Sequence, residues 1–162
     1  MESVPHASRV DLPEVYRLRP DSQLLDWTVV EARLVSAFHY WICTVSSLMT
    51  PHPRPVDGMW MDQKLYFGGD RQSKWLRNLL ANPAAAVHLE DPEHPIIAEG
   101  MVGHLRVDRE LSERLVAASN AKYHMAQTVA DYEGRPLNVF TPRVVLSWET
   151  LNEDATRFTF DH

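Results

Sequence analysis

The chain has 162 residues and a mass of 18.6 kDa, with 44% apolar and 23% charged residues. That is enough for one globular domain burying about two-thirds of its unfolded surface, and it argues against wholesale disorder. A single cysteine, Cys43, excludes an internal disulfide framework, and sixteen Lys and Arg against twenty-two Asp and Glu give a net charge of -6 that disfavours binding to a nucleic-acid duplex. No apolar run reaches the roughly 18 residues needed to span a bilayer, and the first twenty residues are too polar and proline-interrupted for a signal peptide. The expectation is a soluble cytoplasmic protein.

Residues 1–24 carry Pro5, Pro13 and Pro20 without a sustained period, which predicts an irregular arm laid on a single domain formed by 25–162. From Leu25 to His39 the spacing of Leu25, Val29, Ala32, Leu34 and Val35 predicts a helix with Asp26 as its N-cap. The aromatic and β-branched run from Tyr40 predicts a strand, and TPHPRPVDG reads as a connection. Asp62-Gln63-Lys64 interrupts an apolar stretch and predicts a hairpin that pairs 56–61 with 64–68. Asp70 is the expected cap of a short helix from Arg71 to Leu80, ended by Asn82-Pro83. AAAVHLE reads as a strand, and 95–107 as a long strand with a bend or bulge at Gly100 and Gly103. Asp108 is the expected cap of a helix reaching about Ala121, with Leu111, Leu115 and Ala118 as its apolar stripe. LNVFTPRVVLSWET and ATRFTF close the chain as two strands. Too few helices separate the strands for a doubly wound parallel sheet, so the expected class is mainly β (α+β), a mostly antiparallel barrel with helices at its ends.

The sharpest chemical feature is DRQSKWLRNLLANP. On a helix, Arg71, Lys74, Arg77 and Asn78 share one face and Trp75, Leu76, Leu79 and Leu80 the other. With the Ser73 hydroxyl, a helix N-terminus and Gly68-Gly69 just upstream, the cations could hold a phosphate; equally, they could be the solvated side of an amphipathic helix. The eight histidines are scattered without metal-ligand spacing, so no metal site is expected. His88 and His104 fall within predicted strands as structural or pocket-lining rings, and a haem-ligand role among the histidines stays open. Hydrolase nucleophile motifs, a dinucleotide fingerprint and a Walker loop are missing, and Cys43 in an apolar strand reads as an inert thiol. The set Trp41, Trp60, Tyr66, Phe67 and Trp75 reads as core, although a pocket for a flat heterocycle uses the same residue types.

The segments YWICTVSS, PRPVDGMWMD, LYFGGDRQSKWLRNLLANP, VHLED and IIAEG, in this order, resemble the pyridoxamine 5'-phosphate oxidase-like split-barrel family of flavin- and deazaflavin-binding proteins. The resemblance covers about 40–150 and is most specific in the S-K-x-x-R-N-L-x-x-N-P stretch. It implies a six-stranded antiparallel split β-barrel with flanking helices that forms a homodimer with two cofactors at its interface. It further implies an FMN phosphate held by Gly68, Gly69, Arg71, Ser73, Lys74 and Arg77, with the ring along the strand from Arg54 through Val56 to Trp60. The implied activity is that of an oxidoreductase on an unknown small molecule. The alternatives are a reductase using the deazaflavin coenzyme F-420, whose polyglutamate tail could lie on Arg9, Arg17 and Arg19, or a flavin- or haem-binding protein without turnover. Two departures stand out: Trp75 replaces a customary second cation, and Asp57 replaces a customary Trp after Pro-Val. No catalytic acid or base is singled out.

Overall fold

Described here as a computed structural model, the structure covers residues 4–16, 19 and 21–161. Strand β1 (His6–Arg9) and helix α1 (Trp27–Ser36) precede β2 (Tyr40–Val45), β3 (Pro51–Val56), β4 (Met59–Met61) and β5 (Lys64–Phe67). Helix α2 (Lys74–Ala81), strands β6 (Ala84–His88) and β7 (Ile96–Arg106) and helix α3 (Arg109–Tyr123) follow, then β8 (Pro136–Ser147), α4 (Leu151–Asp154) and β9 (Thr156–Thr159). The sheet runs β1-β9-β8-β7-β6-β2-β3, with β5 joining β4 to β8, and all its pairings are antiparallel. The split lies on β8. Its first half pairs with β5 through Asn138–Phe140 and its second half with β9 through Val144–Ser147, while β7 runs along the other edge of both.

Among the described residues the sheet has nine strands rather than six. One unforeseen strand is β1, which pairs with β9 within the arm expected to be irregular. The other is β3, in the proline-rich stretch read as a connection, which pairs with β2 along its whole length; the single strand that the resemblance implies from Arg54 to Trp60 is broken at Asp57-Gly58 into β3 and β4. Pro51, Pro53 and Pro55 occupy alternate positions of an edge strand. Beyond its turn end the Ser46 amide donates to the Thr50 carbonyl at 3.0 Å, so the ladder bonds fall on His52, Arg54 and Val56, and each proline faces the open edge where no donor is needed.

Asp26 caps α1 as expected, accepting from the Thr28 amide at 2.8 Å, but the helix buries Trp27, Val30 and Leu34 and leaves Val29 and Val35 about half exposed. Trp27 sets this rotation, because its indole meets the rings of Phe158 and Phe160 at 5.2 Å each. Asp108 caps α3 by accepting from the Leu111 amide at 2.9 Å. The hairpin turn uses Asp62 and Gln63, both at positive φ, the mirror-image geometry that suits strand twist. The bulge lies at Gly100: the register skips between Glu99 and Gly100, leaving Arg143 of β8 without an opposite number, and the Arg143 carbonyl accepts from the Phe160 amide instead. A Cβ on Gly100 would sit 2.1 Å from the Thr141 carbonyl oxygen, so only glycine fits there. The main core joins Trp27, Tyr40, Ile42, Phe67, Leu79 and Phe140, and a second cluster of Met59, Tyr66, Leu115 and Leu137 seats α3 on the barrel. Among the described residues no helix is long and apolar enough to cross a membrane.

Candidate functional site

The segment following β5 does not form a helix from Arg71. Asp70 accepts from the Gln72 amide at 2.7 Å and closes a turn, so the helix starts three residues later than expected, with Ser73 as the N-cap. Lys74 becomes the first helical residue, and Arg71 remains on the turn. The Ser73 hydroxyl makes no capping bond, and its Oγ is buried with no partner among the described residues. Arg77 folds back and donates from Nη1 to the Gln72 carbonyl at 2.7 Å, while Lys74 is exposed and has no partner among the described residues. Neither cation is paired with a carboxylate among the described residues.

Asn78, expected on the basic face, is buried and donates to Thr44 Oγ1 at 3.0 Å, which anchors α2 to β2. Ladder partners project to the same face. Ile42↔Arg54 and Tyr40↔Val56 therefore place Arg54 and Val56 on the face of the β2–β3 ladder that Asn78 grips, alongside the helix that carries Lys74 and Arg77. The two glycines have different roles. Gly68 is open, with nothing within 4 Å of an added Cβ, whereas a Cβ on Gly69 would come within 2.3 Å of the Trp75 ring. Trp75 is a core residue at 8% exposure, tilted against Phe67 at 5.9 Å, so the indole in place of a second cation is packing. With Gly69, Leu76, His104 and Asn138, Arg71 lines a cavity of about 140 Å³ that neither Lys74 nor Arg77 lines.

Other expected groups are engaged locally. Asp57 pairs with His39 Nδ1 at 2.9 Å. Arg9 donates to the Ser22 carbonyl at 2.7 Å and Arg19 pairs with Glu153 at 2.7 Å, while Arg17 lies outside the described residues. Burial raises the Cys43 thiol above its ordinary range. Among the described residues no group of three His, Cys, Asp or Glu could hold a metal ion.

One residue with no local sequence signal is Lys122. Its ammonium donates to the Ala37 carbonyl, the Tyr40 hydroxyl and the Gly58 carbonyl at 3.0, 3.0 and 3.1 Å, fastening the β3–β4 connection to α1 and β2. Burial lowers it to about 8. It also borders a hollow of about 420 Å³ with Phe38, Met59 and Trp60. Only the tertiary fold assembles these acceptors. On the outer face of the sheet, Trp41 and His88 stack with planes 2° apart at 6.1 Å, beside a groove of about 830 Å³ that includes Ile97 and Trp148. A second groove of about 530 Å³ continues over Cys43, Ala86 and Met101.

No family model and no curated protein matches the chain. Solved structures do match. An F-420 reductase is 24% identical, with a TM-score of 0.55 over 71% of this chain and 94% of its own. A Clostridium acetobutylicum protein related to a Bacillus subtilis general stress protein, of the pyridoxine phosphate oxidase family, is 16% identical, with a TM-score of 0.59 over 85% of this chain and 98% of its own. A haem-binding protein from Mycobacterium smegmatis is 17% identical, with a TM-score of 0.60 over 85% of this chain and 60% of its own. The chain shares the split-barrel fold of these solved structures.

Proposed function

We propose that the protein is a homodimeric oxidoreductase that binds FMN, with the cofactor phosphate on Ser73, Lys74, Arg77 and the backbone at Gly68, and the ring along Arg54 and Val56. The observation that carries this reading is the orphaned Ser73 hydroxyl, buried at the start of α2 beside two cations without carboxylate partners. An unmet buried hydroxyl costs about 1 to 3 kcal/mol, and a phosphate oxygen is the acceptor that such an N-terminus suits. Arg71 lines a cavity that Lys74 and Arg77 do not, and is left out of this set. The outer-face grooves over Trp41, Cys43 and Met101 are half-buried and largely apolar, which suits a second copy covering them.

A bound flavin supplies the hydride or electron chemistry. The residues of this chain bind and orient it: Lys74 and Arg77 neutralise the phosphate, and Arg54 places positive charge beside the ring. Their work is electrostatic, and no side chain needs to move a proton. The second reading, a reductase dependent on F-420, is supported by the 24% identity to an F-420 reductase. It is weakened by the engagement of Arg9 and Arg19 with Ser22 and Glu153, which leaves fewer free cations for an anionic tail. The similarity to a haem-binding protein keeps a non-catalytic carrier as a third reading. The test is a parallel titration of purified protein with FMN and F-420, followed by quenching of each cofactor's fluorescence. Saturable micromolar binding of FMN in preference to F-420 is expected; binding of neither would overturn both oxidoreductase readings.

A further inference from the structure

The β7–β8 register sets His104 directly opposite Asn138, and opposite residues of an antiparallel pair project to one face. Asn138 is 5% exposed and donates through Nδ2 to the Phe67 carbonyl at 3.1 Å, while its Oδ1 lies 2.9 Å from His104 Nδ1. A carbonyl only accepts, so the Phe67 oxygen fixes which way the amide points. The His104 ring must then carry its proton on Nδ1 in order to donate to Oδ1. In the neutral ring this leaves a lone pair on Nε2, which has no partner among the described residues.

The pair lines the cavity of about 140 Å³ that also includes Arg71 and Gly69. Arg71 makes no hydrogen bond or ion pair among the described residues, and no carboxylate lines the cavity. Arg106, two residues beyond His104 on the same face of β7 and opposite Pro136 of the cavity wall, brings to this end a second cation with no ion pair among the described residues. At roughly 30 Å³ of liquid volume per water, the space equals four or five waters, well below the roughly 300 Å³ at which pockets for organic ring systems begin. A guanidinium, an imidazole lone pair and small volume together select a small oxyanion that still carries a proton, such as hydrogen phosphate or bicarbonate.

We propose that this cavity is a binding site for a small free oxyanion, in which Arg71 pairs the charge and His104 Nε2 accepts a hydrogen bond from the protonated oxygen. None of Gly68, Ser73, Lys74 and Arg77 lines it, and it needs neither FMN nor turnover, so it stands or falls apart from the function proposed above.

Nuclear magnetic resonance on the full chain, with inorganic phosphate as the probe, tests it. Before phosphate is added, the ring nitrogen shifts of His104 should report the Nδ1–H tautomer. Phosphate should then move the His104 ring and Gly69 amide signals saturably at millimolar concentration. Arg71→Gln and His104→Gln, both at exposed positions, should each weaken that binding by about tenfold or more while leaving the remaining spectrum folded. Saturation with FMN should leave phosphate affinity unchanged. An Nε2–H tautomer, unmoved His104 and Gly69 signals, full affinity in either variant, or displacement of phosphate by FMN would each overturn the proposal.

Discussion

Removing the Trp75 indole tests whether Gly69 exists for packing rather than for ligand approach. The ring is 8% exposed, tilted against Phe67, and so close to Gly69 that an added Cβ would lie 2.3 Å from Cη2 and 2.4 Å from Cζ2. Trp75→Ala should cost about 3 to 5 kcal/mol, or about 6 to 20 °C in Tm for a chain of this length. Gly69→Ala alone should cost about 1 to 3 kcal/mol, because its methyl group must displace a packed ring. Gly69 is not at a positive φ, so alanine is conformationally allowed there. In the Trp75→Ala background the clash is gone, and Gly69→Ala should become neutral or stabilise by up to about 1 kcal/mol. Urea denaturation of the four proteins therefore predicts a coupling energy of about 1 to 4 kcal/mol. Additivity within about 0.5 kcal/mol would refute the reasoning.

Two further predictions concern the scaffold. Lys122 is lowered by burial to about 8 from an unfolded value of 10.5, so between those values the unfolded chain binds more protons and stability must rise with pH. Denaturation midpoints of wild type measured against Lys122→Met across that window should show the rise; a flat or falling difference would mean that the three oxygen acceptors hold the ammonium fully charged. On β7, Gly100→Ala drives a Cβ to 2.1 Å from a backbone oxygen and should cost about 2 kcal/mol or more, whereas Gly103→Ala meets its nearest atom at 3.6 Å and should stay within about 1 kcal/mol. Equal losses at the two glycines, read by thermal unfolding, would contradict the placement of the bulge.

The readable parts of this fold were those decided by neighbours in sequence. Asp26 and Asp108 cap their helices because a carboxylate reaches amides two or three residues on, and Gly100 marks a bulge that excludes any side chain. Strand β3 was hidden because three prolines signal a connection unless each falls on the unbonded side of an edge strand, which depends on β2. Asp70 was a plausible cap, but it closes a turn instead and passes the role to Ser73, which moves Arg71 off the helix. Lys74, Arg77 and Arg54 were readable as candidates from charge and resemblance. The His104–Asn138 pair was not, because its members are 34 residues apart and meet only through the β7–β8 register.

The most direct test of the cofactor account compares FMN with riboflavin, which lacks the phosphate, on wild type and on Lys74→Ala/Arg77→Ala. Two charge-assisted contacts of about 1.5 to 3 kcal/mol each predict that wild type prefers FMN by about a hundredfold or more. The double variant should lose that preference while holding riboflavin as wild type does. A folded double variant that still prefers FMN as strongly as wild type would contradict the placement of the phosphate at the start of α2.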